Sequence, residues 1–184
     1  MADKIITQKF LQHFFRYEDG NLYVKKELPR KATIEYDENG SMILKRQLPK
    51  RKVGEKIGTT SSKDGYSKAL ILSKMYGVHR LIFLYHHGYF PKEVDHIDND
   101  PRNNRIENLR DANKNQNCYN TKLRTDNTSG VKGVSWSKVK KKWVTQLTVD
   151  GKLKRFGFYN DIDYAKFVIE AMRYKYHGEF ANNG

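Results

Sequence analysis

Sulfur is scarce in this chain of 184 residues, with four methionines and a single cysteine, Cys118. One thiol excludes an internal disulfide and any cysteine-based zinc cluster. Long apolar runs are missing too. None approaches the roughly 18 residues of a membrane span, and Met1-Ala2-Asp3-Lys4 does not begin a secretory signal. No membrane partner is expected, and a reducing cytoplasm is the expected compartment. Acidic side chains are the third shortage, 21 Asp and Glu against 35 Lys and Arg, for a formal net charge of +14. A hydrophobic fraction of 38% with 12% aromatics is too rich for a disordered polycation and thin for one large core. Several small modules on a charged surface fit better than one large domain.

A surplus of this size favours polyanions, because each neutralised phosphate releases counterions. Its distribution separates nucleic-acid binding from mere solubility. Residues 131–155 hold eight basic side chains against Asp150 alone, whereas residues 156–184 hold three basic and four acidic. Such polarity within one small stretch reads as a face turned to phosphate.

The pattern of elements is α+β. Residues 1–60 read as short strands and hairpins, with turn signals at Asp19-Gly20 and Asn39-Gly40. Lys25, Lys26, Arg30, Lys31, Lys45, Arg46, Lys50, Arg51 and Lys52 surround the second hairpin, as a solvated loop or a DNA-backbone clamp. Tyr66 to Leu72 reads as a strand. Val78 to Tyr85 suits strand or helix, and helix is favoured because Leu81, Leu84 and Tyr85 share a face and His86-His87-Gly88 supplies a stop. Residues 123–130 read as a linker. Beyond it, three strands at Val131–Trp136, Lys142–Val149 and Lys154–Phe158 precede a helix. Asn160 or Asp161 caps that helix, and Gly178 ends it. Its apolar residues Ile162, Ala165, Ile169, Met172 and Tyr176 step by three and four.

The densest polar segment runs from Val94 to Asn120. Asp95 and His96 fall at the end of a short strand, where adjacent side chains point to opposite faces. One offers a hard oxygen ligand, the other an imidazole beside it. A second short strand at Asn108–Asp111 and a helix from Asn113 to about Lys122 would bring Asn117 back across the hairpin to Asp95. Two protein oxygens plus water and phosphate oxygens suit Mg²⁺, with Mn²⁺ as substitute, and the Cys or clustered His that Zn²⁺ wants are absent. His96, with an unperturbed pKa of about 6.5, suits proton abstraction from an attacking water. Asn108 can bond the other imidazole nitrogen and set its aim. Asp98, Asn99, Asp100, Asn103 and Asn104 read as turn chemistry. His79 either touches phosphate together with Arg80 or fastens the helix to this hairpin. His86 and His87 read as cap or surface residues, and Cys118 as packing.

The blocks Val78-His79-Arg80, Val94-Asp95-His96-Ile97-Asp98, Asn103-Asn104-Arg105-Ile106-Glu107-Asn108-Leu109-Arg110 and Asn117 resemble the HNH endonucleases. These are the ββα-metal nucleases of phage and intron-encoded homing enzymes. The resemblance covers about 65–120. It implies His96 as general base, Asp95 and Asn117 as metal ligands and Asn108 as the residue orienting the histidine, with Asn117 in place of the final His of the family name.

A second resemblance covers about 129–181. Ser129-Gly130-Val131-Lys132-Gly133-Val134-Ser135-Trp136, Lys142-Trp143, Phe156-Gly157-Phe158 and the helix to His177-Gly178 are similar to the Apetala-type domain of plant ethylene-response factors, which lays a three-stranded sheet in the DNA major groove. The resemblance implies Lys132, Ser135, Ser137, Gln146, Thr148 and Arg155 on the DNA side. Strand alternation independently leaves Gln146 and Thr148 opposite Trp143, Thr145, Leu147 and Val149. The two tryptophans read as packing.

The expectation is a β-rich region at 1–60, an HNH nuclease at 61–122, a linker at 123–130 and an Apetala-like domain at 131–184. The chain would hydrolyse double-stranded DNA to 5′-phosphate and 3′-hydroxyl ends, nicking as a monomer or weak dimer in a bacterial cytoplasm. The rivals are a catalytically silent DNA-binding regulator and an RNA nuclease.

Overall fold

The computed structural model describes residues 6–28, 33–36, 42–46, 51–72 and 74–184. The chain divides into two compact units, Met1–Arg110 and Asp111–Gly184. Four helices and twelve short strands in five separate sheets make a mixed α and β architecture among the described residues.

The first unit opens with α1 (Gln8–Phe14), capped by Thr7, whose side chain accepts from Phe10 N–H. The sequence pattern suggested only strands here, and a seven-residue helix is too short to show a clear period. Strands β1 (Phe15–Glu18) and β2 (Asn21–Val24) follow as an antiparallel hairpin around Asp19-Gly20, both with positive φ. β3 (Thr33–Tyr36) and β4 (Met42–Arg46) pair antiparallel, while the Asn39-Gly40 turn expected between them lies outside the described residues, with Arg30, Lys31 and Lys50. β5 (Thr59–Thr60), β6 (Ser67–Ile71) and β7 (Lys74–Gly77) form a three-stranded sheet.

Helix α2 (Val78–His87) occupies the stretch that suited strand or helix, and Gly88, left-handed at φ 82°, ends it. Its Val78, Leu81, Ile82, Phe83 and Leu84 are all buried, so it is the core helix of this unit. Phe15, Leu22, Val24 and Ile57 join the same core. Burying each such side chain contributes roughly 1.5–3 kcal/mol, so Phe15, Leu22, Val24 and Ile57 and the helix stabilise one another directly. α1 adds hydrogen bonds, with Gln8 and Gln12 both donating to the carbonyl of Tyr85 (3.0 and 3.1 Å). Then come β8 (Glu93–His96), a 3₁₀ turn at Ile106–Asn108 and β9 (Leu109–Ala112), which pairs with β8.

The unit boundary falls within β9, ahead of the 123–130 stretch. The second unit begins with α3 (Lys114–Tyr119), capped by Asn113 and Gln116 in a reciprocal capping box. β10 (Val134–Ser137), β11 (Lys142–Val149) and β12 (Lys152–Tyr159) form an antiparallel sheet in chain order. The expected start at Val131 is three residues early, because the Ser129 hydroxyl ties Val131 and Val134 into a turn. α4 (Ile162–His177) starts at Asp161, whose carboxylate accepts from Tyr164 N–H at 2.7 Å, and stops at Gly178. Ala165 and Ile169 pack on Val134, Leu147 and Val149. Tyr119 stacks flat on His177 with ring centres 3.7 Å apart, and its hydroxyl accepts from the Asp150 N–H. Among the described residues, no helix is long and apolar enough to cross a membrane.

Candidate active site

Asp95 and His96 close β8, and both are buried, each 4% exposed. A charged carboxylate at that depth needs a partner, and Arg110 on β9 supplies it. Its Nε and Nη2 donate to the same Asp95 oxygen, Oδ2, at 2.8 and 2.7 Å. Arg110 closes one of the blocks that carry the family resemblance, but its role was not visible in the sequence pattern. The imidazole of His96 meets Asn104, with Nε2 3.0 Å from Oδ1. With Nε2 donating to that amide oxygen, the basic lone pair of a neutral His96 lies on Nδ1.

Asn104 therefore occupies the place expected of Asn108. Asn108 Nδ2 donates instead to Asp98 Oδ1 (2.9 Å) and to the carbonyl of Asn103 (2.8 Å), while its Oδ1 accepts from Asp98 N–H (3.1 Å). Asn108 thus closes the loop that carries Asn104. Asp98 is the hub of this loop, also accepting from Asn103 Nδ2 and Asp100 N–H. Burial acts to raise its pKa, yet these hydrogen bonds hold the carboxyl below its usual range. Asp98, Asp100 and Asn103 are turn chemistry as their residue types suggest, whereas buried Asn104 is not.

The β1–β2 hairpin braces the same loop from behind. Tyr17 Oη accepts from Ile106 N–H at 3.0 Å, and Asp19 pairs with Arg105 at 2.8 Å. Gly20 is needed here twice over: its φ is +77°, and a Cβ would sit 2.9 Å from the backbone nitrogen of Arg105.

His79 and Tyr66 complete the surroundings of His96. The three rings form a triangle, with His79 and Tyr66 centred 5.3 and 5.7 Å from His96 and 5.3 Å from each other. His79 Nδ1 is buried without a hydrogen-bond partner. Burial, with the nearby His96 and Arg80, lowers the His79 pKa to about 4, so it is neutral at physiological pH. Burial and the charges of Asp95, Asp64 and Glu93 push the Tyr66 phenol up. Arg80, expected on phosphate with His79, turns to the backbone: it donates to the carbonyls of Lys92 and Pro91 (3.1 and 2.8 Å) and lies over Phe90. Arg80 thereby fastens α2 to the strand carrying Asp95.

Asn117 lies on α3 in the second unit, half-buried. No group of three or more His, Cys, Asp or Glu side chains that could hold a metal occurs among the described residues. The buried Asp95 carboxylate, flanked by the carboxylates and neutral amides of its loop, suits a cation that keeps much of its water.

In the second unit, the register of the three-stranded sheet sorts the residues expected to face DNA. Ser135 and Ser137 sit opposite Val144 and Lys142, and Gln146 and Thr148 sit opposite Arg155 and Leu153. Directly paired residues share a side, so Ser135, Ser137, Gln146, Thr148 and Arg155 lie together on the face away from α4. Lys132 does not join them. Its Nζ donates to the carbonyls of Tyr119 (3.1 Å), Thr121 and Asn182 (3.0 Å), and burial beside Arg173 lowers its pKa to about 8. Two of these carbonyls lie at or just beyond the end of α3 and one belongs to the C-terminal tail, and together they take up the ammonium group that the strand pattern would have left in solvent.

The model of the HNH endonuclease family matches residues 76–119, the span that carries the buried Asp95–His96 pair and its Asn-rich loop. Protein 3.8 of Escherichia phage T7 is 37% identical over 94 residues, 51% of this chain and 74% of that protein. The chain belongs to the family of that phage protein. No solved structure matches it at a significant level.

Proposed function

We propose that the chain is a metal-dependent endonuclease of double-stranded DNA, cutting one strand at a time to leave 5′-phosphate and 3′-hydroxyl ends. The observation that carries this reading is the buried pair on β8, each member clamped by its own partner, Asp95 by Arg110 and His96 by Asn104. A merely structural strand end has no need of a buried imidazole aimed by an amide. In this reading Nδ1 of His96 takes a proton from the attacking water while His79 keeps the surroundings uncharged. Asp95 would hold a Mg²⁺ ion, for which Mn²⁺ would substitute, and such an ion would supply charge stabilisation at the phosphoryl and departing oxygens. Asn117 as second ligand rests on sequence spacing, and Asn117→Ala should raise the Mg²⁺ concentration needed for half-maximal cleavage. The outward sheet face with Ser135, Ser137, Gln146, Thr148 and Arg155 lies on duplex DNA in the manner of the Apetala-type domain.

The decisive experiment is His96→Ala on supercoiled plasmid in Mg²⁺. Nicking should fall by roughly 10²–10⁴-fold while gel-shift affinity for the same DNA holds. Cleavage at the native rate by that variant would remove His96 from the mechanism. Absence of nicking by the native chain in any divalent metal would leave a DNA-binding regulator.

A further inference from the structure

Helix α4 has a second apolar side. Opposite the buried Ala165 and Ile169 stand Tyr164, Phe167, Ala171 and Tyr174, spaced by three, four and three residues. Tyr164, Phe167 and Tyr174 are 56%, 68% and 62% exposed. Scattered surface aromatics need no explanation, but a continuous row at the spacing of a coiled-coil seam does. The surroundings do not favour nucleic acid, since residues 156–184 carry three basic and four acidic side chains in a chain of net charge +14.

We propose that this stripe is the contact surface for a second copy of the chain, docked with the two α4 helices parallel about a two-fold axis. Charge sets the orientation. In a parallel pair, the residue just before an a position faces the partner residue five positions further along. With Tyr164 and Ala171 as a positions, Glu170 then meets Lys175 of the second copy, and the two-fold axis makes the pair twice. An antiparallel pair would instead turn the Asp163 and Glu170 side of each helix toward the same acidic side of the other. The area agrees with a reversible contact. Three aromatics with more than half their surface free, plus Ala171, offer roughly 400–500 Å² per copy, at the small end of specific interfaces. The assembly follows from α4 alone and is independent of the nuclease reading.

Sedimentation velocity on the full chain, over roughly 1 to 200 μM, tests it. The native chain should dimerise reversibly, and Phe167→Glu should weaken the dimer at least about tenfold with an unchanged circular dichroism spectrum. Glu170→Lys and Lys175→Glu should each weaken it about threefold or more, and the double variant E170K/K175E should recover native association. A monomer throughout the range overturns the proposal. So does a tighter dimer for E170K alone, the signature of antiparallel docking. Weaker DNA binding by F167E with no change in mass would assign the stripe to nucleic acid and overturn it equally.

Discussion

Two nitrogens of Arg110 converge on one oxygen of Asp95, Oδ2, from 2.8 and 2.7 Å, joining the two strands of the β8–β9 pair by their side chains as well as their backbones. The carboxylate is thereby held in a fixed orientation.

Removing the arginine should be costly. Arg110→Ala leaves a buried carboxylate without its counter-charge, an expected loss of about 3 kcal/mol in urea denaturation. Arg110→Lys should recover part of that stability but not the two-pronged grip, so its Mn²⁺ affinity, read by electron paramagnetic resonance, should remain below native.

The two loop asparagines should separate into different phenotypes. Asn104→Ala removes the partner of His96 and should lower the cleavage rate roughly 10–100-fold with modest change in melting temperature. Asn108→Ala unties Asp98 and Asn103 and should cost about 1–3 kcal/mol of stability. The reverse pattern would return the aiming role to Asn108.

His79 predicts a pH dependence. Its folded pKa, about 4, lies below the unfolded value of 6.5, so between these values the unfolded chain binds more protons. Stability from this group is complete above about pH 6.5, falls as the pH drops toward 4, and amounts to roughly 3 kcal/mol in full. His79→Phe should flatten the pH 4–6.5 limb of the denaturation midpoint, and an unchanged slope would contradict the assignment.

Lys132 and Arg155 were expected to share one face and one role, and now predict opposite results. Lys132→Ala strips a donor from three carbonyls and should lower the stability of the second unit by about 1–3 kcal/mol. Arg155→Ala should leave stability unchanged and reduce the slope of log affinity against log salt by about one phosphate contact.

Legibility in the sequence followed the range of the interaction. α4 was readable because Asp161, Gly178 and the three-four step of Ile162, Ala165 and Ile169 are local signals. The β1–β2 turn was readable from Asp19-Gly20, and α2 from its glycine stop. The adjacent Asp95 and His96 stood out as a chemical pair. Which asparagine reaches the imidazole was not readable, since Asn104 and Asn108 carry the same amide and only the folded loop distinguishes them. Tyr66 approaches His96 from 30 positions upstream, and no short-range pattern encodes that. Lys132 misled because a lysine beside a basic strand looks the same whether it faces solvent or the end of a helix.

The buttress formed by Tyr17, Asp19 and Gly20 bears on how short a folded fragment carrying the Asp95–His96 pair can be. Excising the family-matched span 76–119 would strip Phe15, Leu22, Val24 and Ile57 from α2 and leave the Asn104 loop without its rear support. The setting of the Asp95–His96 pair is thus a property of a fragment reaching back to α1, and domain grafts that begin at the motif should express as insoluble material.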